Sequence, residues 1–423
     1  MNYRFRINNN FYLIFILVGL PISVLLKDYN LLILPDFNLE LVKIYRLLLI
    51  LFTIYLLIKL KNTLNYPVLL LLMINLVFLY NQFLGPELIF TENLSAFLEK
   101  NTDLKNIESE KINFEITKNN FLIINIFNII LPLVMLSFKK FSINIENFNV
   151  TIIKIFKIYL FFFIILFIIK LFTLQYVLIE PFEIVSINKR IDNLFSNYIM
   201  AYKLDFRGFF INPHLTHFPL SLFIIISLQN YFIEKNKNNL SYIILIFIIL
   251  LLIKAYMILF TSIIIGIIIS IPHIKNKKLL YLIMIGLFVL LFTILYFYNF
   301  DTNTGSILGS LIIRFKIIYF YMFSIINPNY LIGHNLLNSN LYTYPHNFII
   351  DLYICTGVIG GSIFLVILSS IYNSSNFFSL NNSYLNIFLF QSLFISLFSG
   401  FFFTNITLNV AIALALINFG ESD

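Results

Sequence analysis

The sequence predicts an all-α polytopic integral membrane protein with about twelve transmembrane helices. The chain is 60% hydrophobic and only 11% charged, whereas soluble domains average about 45–50% apolar and about 25% charged residues. Its apolar runs repeatedly reach the roughly 20 residues that cross about 30 Å of hydrocarbon. The runs are also unbroken, while a membrane β-barrel would show weak alternation in segments of about ten residues. These observations exclude a water-soluble domain.

Each predicted span is an apolar run between polar or charged residues. The spans are 11–26, 41–60, 66–84, 120–138, 153–178, 215–233, 240–256, 257–272, 279–298, 348–371, 384–400 and 404–419. Only a weak break near Lys254 separates 240–256 from 257–272. We read this pair as a tight hairpin, because one helix over both would be about 50 Å long.

The orientation follows from the lysines and arginines of the short loops, which mark the cytoplasmic side of a membrane protein. With twelve spans they fall on one side, at Arg4, Arg6, Lys59, Lys61, Lys139, Lys140, Lys154, Lys235, Lys237, Lys275, Lys277 and Lys278. Lys43 and Arg46 are exceptions. This placement predicts cytoplasmic termini and explains most of the net charge of +8, so no nucleic-acid partner is expected.

Residues 1–423 are predicted to form a single membrane domain with three long extracytoplasmic loops. These loops are 85–119, 179–214 and 299–347. No nucleotide-binding, metalloprotease or serine-hydrolase motif is present, and the single cysteine, Cys355, excludes a disulfide within the chain. His214 and His217 have no neighbouring carboxylate or cysteine cluster, so no metal and no cofactor is predicted.

Two arginines and a histidine lie at membrane-boundary positions of the second and third long loops. Arg207 precedes Asn212 and the sixth span, Arg314 lies in the third loop, and His346 ends that loop. The planar guanidinium of arginine holds phosphate with two hydrogen bonds. Histidine is the side chain best suited to accept a proton near neutral pH. Arginines beside a histidine base are typical of glycosyl transfer from a lipid diphosphate.

Simpler roles remain open for these residues. An interfacial arginine can extend to lipid phosphate, and a histidine at a helix start can cap it. His334, in the middle of the third loop, is expected to be incidental.

The second half of the chain, about 200–372, resembles the O-antigen ligase/polymerase superfamily of bacterial envelope enzymes. The resemblance rests on R-G-F-F-I-N-P at 207–213, on Thr261-Ser262, on N-P-N-Y-L-I-G-H-N at 327–335, and on P-H-N-F-I-I-D-L-Y-I-C-T-G-V-I-G-G at 345–361. The chain departs from the family at four places. Where the family has an arginine, a glycine and an asparagine, this chain has Ile263, Asn335 and His214. Where the family has an acidic residue, this chain has Cys355-Thr356.

The resemblance implies a metal-independent membrane glycosyltransferase of the GT-C-like kind. Arg207 and Arg314 would hold the donor diphosphate, and His346 would orient or deprotonate the acceptor hydroxyl. Direct attack would invert the anomeric centre. The implied substrate contacts are Asn347, Tyr344 and Asn212.

The resemblance further implies a polymerase that joins polyprenyl-diphosphate-linked repeat units of a surface polysaccharide. Its partners would be the lipid-linked glycan, an acceptor glycan, the lipid bilayer and a chain-length regulator, and its site would face the periplasm from the bacterial inner membrane. A ligase that transfers glycan to lipid A–core uses the same donor. A transporter or flippase of the lipid-linked glycan is an alternative of a different class, which predicts polar residues in mid-membrane and broken helices in matching halves.

Overall fold

We describe the protein from a computed structural model. The structure describes residues 12, 15–16, 19, 35–59, 64–92, 97, 122–123, 125–138, 150, 152–158, 160–161, 164, 213–234, 238–252, 256–270, 307–326, 329–336, 347–374, 383–397 and 401–416.

The described residues are mostly helical and contain no strand beyond isolated bridges, which confirms the all-α prediction for this part of the chain. The helices are α1 Pro35–Lys59, α2 Tyr66–Leu84, α3 Leu131–Leu136, α4 Pro213–Glu234, α5 Asn238–Leu252, α6 Tyr256–Ser270, α7 Ile307–Phe323, α8 Phe348–Ser374, α9 Ser383–Ser396 and α10 Ile406–Ala415. A π turn, Ile126–Ile130, leads into α3, and a 3-10 turn, Phe402–Thr404, precedes α10.

Two described helical stretches are long and apolar enough to cross a membrane. They are α2 and residues Phe348–Tyr372 of α8. The larger number of spans stays a prediction, and the predicted span 279–298 lies outside the described residues.

Prolines and asparagines fix several helix starts. Pro35 and Pro213 are the first residues of α1 and α4, where the missing N–H of proline costs no hydrogen bond. Asn405 caps α10, because its Oδ1 accepts the Leu408 N–H at 3.0 Å. Asparagine is among the preferred residues at this position.

The segment 299–347, predicted as an extracytoplasmic loop, contains a helix that was not predicted, and its side of the membrane stays a prediction. Residues Ile307–Phe323 form α7. Ile317 and Tyr321 are buried on this helix, whereas Phe315 and Tyr319 are more than half exposed. The side chains therefore alternate between a packed face and an open face, as in an amphipathic helix.

Contacts divide the chain into two compact units. The first comprises Met1–Asn65, Val134–Ile263 and Ile417–Asp423. In it α4 packs against α5, and Phe223 of α4 stacks on Phe156.

The second unit comprises Tyr66–Leu133 and Ile264–Leu416. Here α8 packs along α2 and also contacts α7, while α10 packs against α9, α2 and the π turn. The residues of the candidate site that the structure describes belong to this second unit.

Candidate functional site

Two of the six predicted site residues, Arg314 and Asn347, lie among the described residues. The other four, Arg207, Asn212, Tyr344 and His346, lie outside them.

Arg314 lies on α7, one turn before the buried Ile317 and two turns before the buried Tyr321. Residues at this spacing share one face of a helix, so the arginine belongs to the packed face of α7. Burial lowers the pKa of its guanidinium from the ordinary value, yet arginine stays charged in proteins. The second unit thus holds a permanent, partly desolvated cation at this helix.

Asn347 caps α8 rather than presenting a free amide. Its Oδ1 accepts the N–H groups of Ile349 at 3.0 Å and Ile350 at 3.3 Å, and its Nδ2 donates to Leu397 O at 3.1 Å. The predicted start of the span at residue 348 is confirmed. These bonds fix the direction in which the chain enters α8, immediately after His346. Substrate contact by Asn347 stays a prediction.

The α8 helix is broken at Gly357, which has φ 60° and ψ −158° inside an otherwise helical stretch. Residues 329–336, here called the docking loop, lie against this break. Its Gly333 also has a positive φ, of 91°. Glycine adopts such backbone angles without steric cost, whereas other residues do so rarely.

The two glycines let the backbones of the docking loop and α8 touch. A Cβ on Gly357 would lie 2.4 Å from Leu331 O, and a Cβ on Gly333 would lie 2.5 Å from Thr356 N. Both distances are shorter than any normal contact of a Cβ atom. Gly333 and Gly357, 24 positions apart in sequence, therefore bring the segments 327–335 and 345–361 into direct backbone contact.

The docking loop also supplies backbone hydrogen bonds where α8 is interrupted. Three such bonds are Val358 N–H to Tyr330 O at 2.8 Å, Ile359 N–H to Leu331 O at 3.3 Å, and His334 N–H to Ile354 O at 2.7 Å. A buried, unpaired backbone group costs free energy comparable to a lost hydrogen bond. The loop thus satisfies groups that the broken helix cannot pair internally.

Two polar residues near the end of α2 hold this arrangement from the other side. Asn81 Nδ2 donates to Ile332 O of the docking loop and, at 2.8 Å, to Cys355 O of α8. Gln82 Oε1 accepts the Leu336 N–H at 3.0 Å. Both side chains are fully buried. These two residues were not predicted as part of the site, although two adjacent amides at the end of an apolar run are visible in the sequence.

His334 is only 3% exposed, so the expectation that it is incidental was wrong. Its Nε2 accepts the Asn329 N–H at 2.7 Å, which requires the neutral ring. Burial lowers the pKa of the imidazole, and the backbone carbonyls of Pro86 and Glu87 partly offset this effect. His334 is therefore a structural residue of the docking loop.

We expect the stability of the protein to fall in mild acid partly because of His334. The unfolded chain takes up a proton below pH about 6.5, while the folded state resists it, so stability is lost as pH falls below that value. Unfolding temperatures measured at pH 7.5 and pH 5.5 should show a smaller decrease for His334→Gln than for the wild type. An identical decrease in both proteins would contradict this role.

Comparison of the chain with protein-family models, with curated proteins and with solved structures finds no match.

Proposed function

We propose that the protein is a bacterial inner-membrane glycosyltransferase that joins polyprenyl-diphosphate-linked oligosaccharide units during surface polysaccharide assembly. The observation that supports this best is the contact between Gly333 and the α8 break at Gly357. It gives a physical reason for the glycines in both motifs, because each occupies a backbone position that a side chain would obstruct. It also anchors the helix whose first turn follows His346.

In the proposed reaction an acceptor hydroxyl attacks the anomeric carbon, and the bond from that carbon to the lipid diphosphate breaks with inversion. Arg207 and Arg314 bind the diphosphate and stabilise the charge that it gains as it leaves. His346 takes the proton of the attacking hydroxyl. The two guanidinium groups supply the positive charge, so the proposal needs no metal.

The proposed arrangement has about twelve spans, with the reaction at the outer face of the inner membrane. A ligase that transfers the glycan to lipid A–core would differ only in its acceptor. The lipid-linked donor and the arginine contacts would be the same.

The break in α8 also favours one alternative, a transporter of the lipid-linked glycan. Discontinuous helices line the binding sites of many transporters. Among the described helices, only α8 contains a residue with non-helical backbone angles, so the matching break that this alternative predicts is not found there. A transporter would move single units across the membrane without lengthening them.

The arginines provide the test. Arg314→Lys and Arg207→Lys should each reduce polymer formation by about tenfold or more, because lysine keeps the charge but cannot make the two-pronged phosphate contact. The measurement is the length and amount of surface polysaccharide in cells that contain equal amounts of each variant. Arg46→Lys, a partly buried arginine on α1, is the matched control and should behave as wild type. If both site variants make wild-type polymer, the two arginines only anchor the protein at the membrane interface, and the proposed diphosphate contact is contradicted.

A further inference from the structure

Polar side chains from four segments of the second unit meet at Phe402 and Phe403. The hydrogen bonds are Phe402 N–H to Asp351 Oδ2 at 3.1 Å, Asn409 Nδ2 to Phe402 O at 2.9 Å, Asn125 Nδ2 to Phe403 O at 2.8 Å, and Asn75 Nδ2 to Asn409 Oδ1 at 3.2 Å. We call Asn75, Asn125, Asp351 and Asn409 the polar cluster. Its members come from α2, the residue before the π turn, α8 and α10.

The polar cluster lies in apolar, aromatic surroundings. Phe403 stacks on Phe78 with ring centroids 4.0 Å apart, and Phe402 meets the edge of Phe364 at 5.9 Å. Asp351 has no exposed surface. A carboxylate in such surroundings is costly unless it is paired and hydrogen-bonded.

Three buried oxygen atoms of the cluster receive no hydrogen bond from the described residues. Among the described residues, nothing donates a hydrogen bond to Asp351 Oδ1, Asn75 Oδ1 or Asn125 Oδ1, although all three atoms are buried. The amide hydrogens of Asn75 and Asn125 are directed instead at other oxygens. The Phe402 N–H donates to Asp351 Oδ2, and Cys355 interacts electrostatically with the same carboxyl group. Neither of these two described neighbours carries a positive charge.

Asp351 and Asn125 each form a hydrogen bond with Phe402 or Phe403 directly. Asn75 is linked to Phe402 through Asn409. The three side chains that carry the unpaired oxygens are therefore all linked to the same short segment of chain. Carboxylate and amide oxygens are the ligands that hard cations prefer. A single carboxylate among neutral oxygens balances one positive charge, whereas Ca²⁺ sites usually contain several carboxylates.

We propose that the polar cluster binds a monovalent alkali cation, with Asp351 as its charged ligand and amide oxygens of Asn75 and Asn125 as neutral ligands. The cation neutralises the buried carboxylate and holds α2, α8, α10 and the π turn together. The proposal is independent of glycosyl transfer, since it concerns the stability of the folded protein without substrate.

The single cysteine provides the readout. Cys355 is fully buried one turn after Asp351, so a thiol-reactive fluorophore reports unfolding of the purified full-length protein. NaCl replaces choline chloride at constant ionic strength, and KCl, LiCl and CaCl₂ are compared. A cation that binds only the folded state raises the unfolding temperature. We expect a saturable rise, on the order of 5 °C, with NaCl or another alkali chloride.

Asp351→Asn should abolish the alkali-specific rise, and Glu87→Gln, which removes an exposed carboxylate of the same unit, should retain it. Asn125→Ala should raise the half-saturating concentration about tenfold, and it keeps the test informative if Asp351→Asn fails to fold. Equal effects of choline and the alkali ions, a stronger effect of CaCl₂, or a full rise in Asp351→Asn would overturn the proposal.

Discussion

Gly357→Ala should severely destabilise the protein. The added Cβ would meet the carbonyl oxygen of Leu331 at 2.4 Å, and this neighbour is backbone that cannot rotate away. The backbone angles at Gly357 are also essentially restricted to glycine. Steric and backbone costs together should reach about 3 kcal/mol or more. Thermal unfolding followed through the thiol of Cys355, or the amount of monodisperse protein after extraction, measures the loss.

Gly361→Ala is the matched control on the same helix. A Cβ there would meet nothing within 4 Å, and alanine favours a helix over glycine by about 1 kcal/mol, so the variant should be unchanged or slightly more stable. Gly333→Ala should resemble Gly357→Ala, because its Cβ would meet Thr356 N at 2.5 Å. Wild-type stability of Gly357→Ala would mean that the docking loop and α8 do not touch as described.

The long apolar helices could be predicted from the sequence because polar residues bound them. The predicted span 66–84 coincides with α2, and the predicted start of 348–371 coincides with the start of α8. The α7 helix was missed because Arg314 and Lys316 interrupt its apolar run, which then looked like a polar loop. In the structure these residues are partly buried on a helix with one packed face.

The docking loop could be predicted only in part. The glycines of both motifs were visible, but nothing in a single sequence indicates that Gly333 and Gly357 face each other. The contacts of Asn81 and Gln82 with this loop join residues about 250 positions apart, which local patterns do not reveal. The importance of Asp351 could have been predicted from the sequence, because an ionisable residue within an apolar span usually has a function.

His346→Ala should nearly abolish polymer while the protein remains folded and inserted. His346 precedes Asn347, the cap of α8, so it lies in sequence at the positive end of that helix. The helix dipole disfavours the protonated ring there, which keeps the neutral base available. A general base typically contributes about 10²–10⁴-fold in rate. Single repeat units should therefore accumulate on the carrier lipid in cells.

His334→Ala is not a suitable control for this variant, because His334 is buried and hydrogen-bonded. His273→Ala is better suited, since His273 lies beside the lysines that predict the cytoplasmic side. It should make wild-type polymer. If His273→Ala and His346→Ala reduce the amount of polymer equally, the reduction results from impaired folding and not from the loss of a base.

Elongation by the purified protein tests the central claim most directly. Wild type and His346→Ala, at equal folded amounts, are incubated with purified polyprenyl-diphosphate-linked repeat units in detergent, with a chelator and no ion gradient. The proposed mechanism predicts a ladder of longer lipid-linked glycans and release of polyprenyl diphosphate with the wild type, and neither with His346→Ala. Absence of any elongation by the folded wild type, or equal elongation by both proteins, would contradict it.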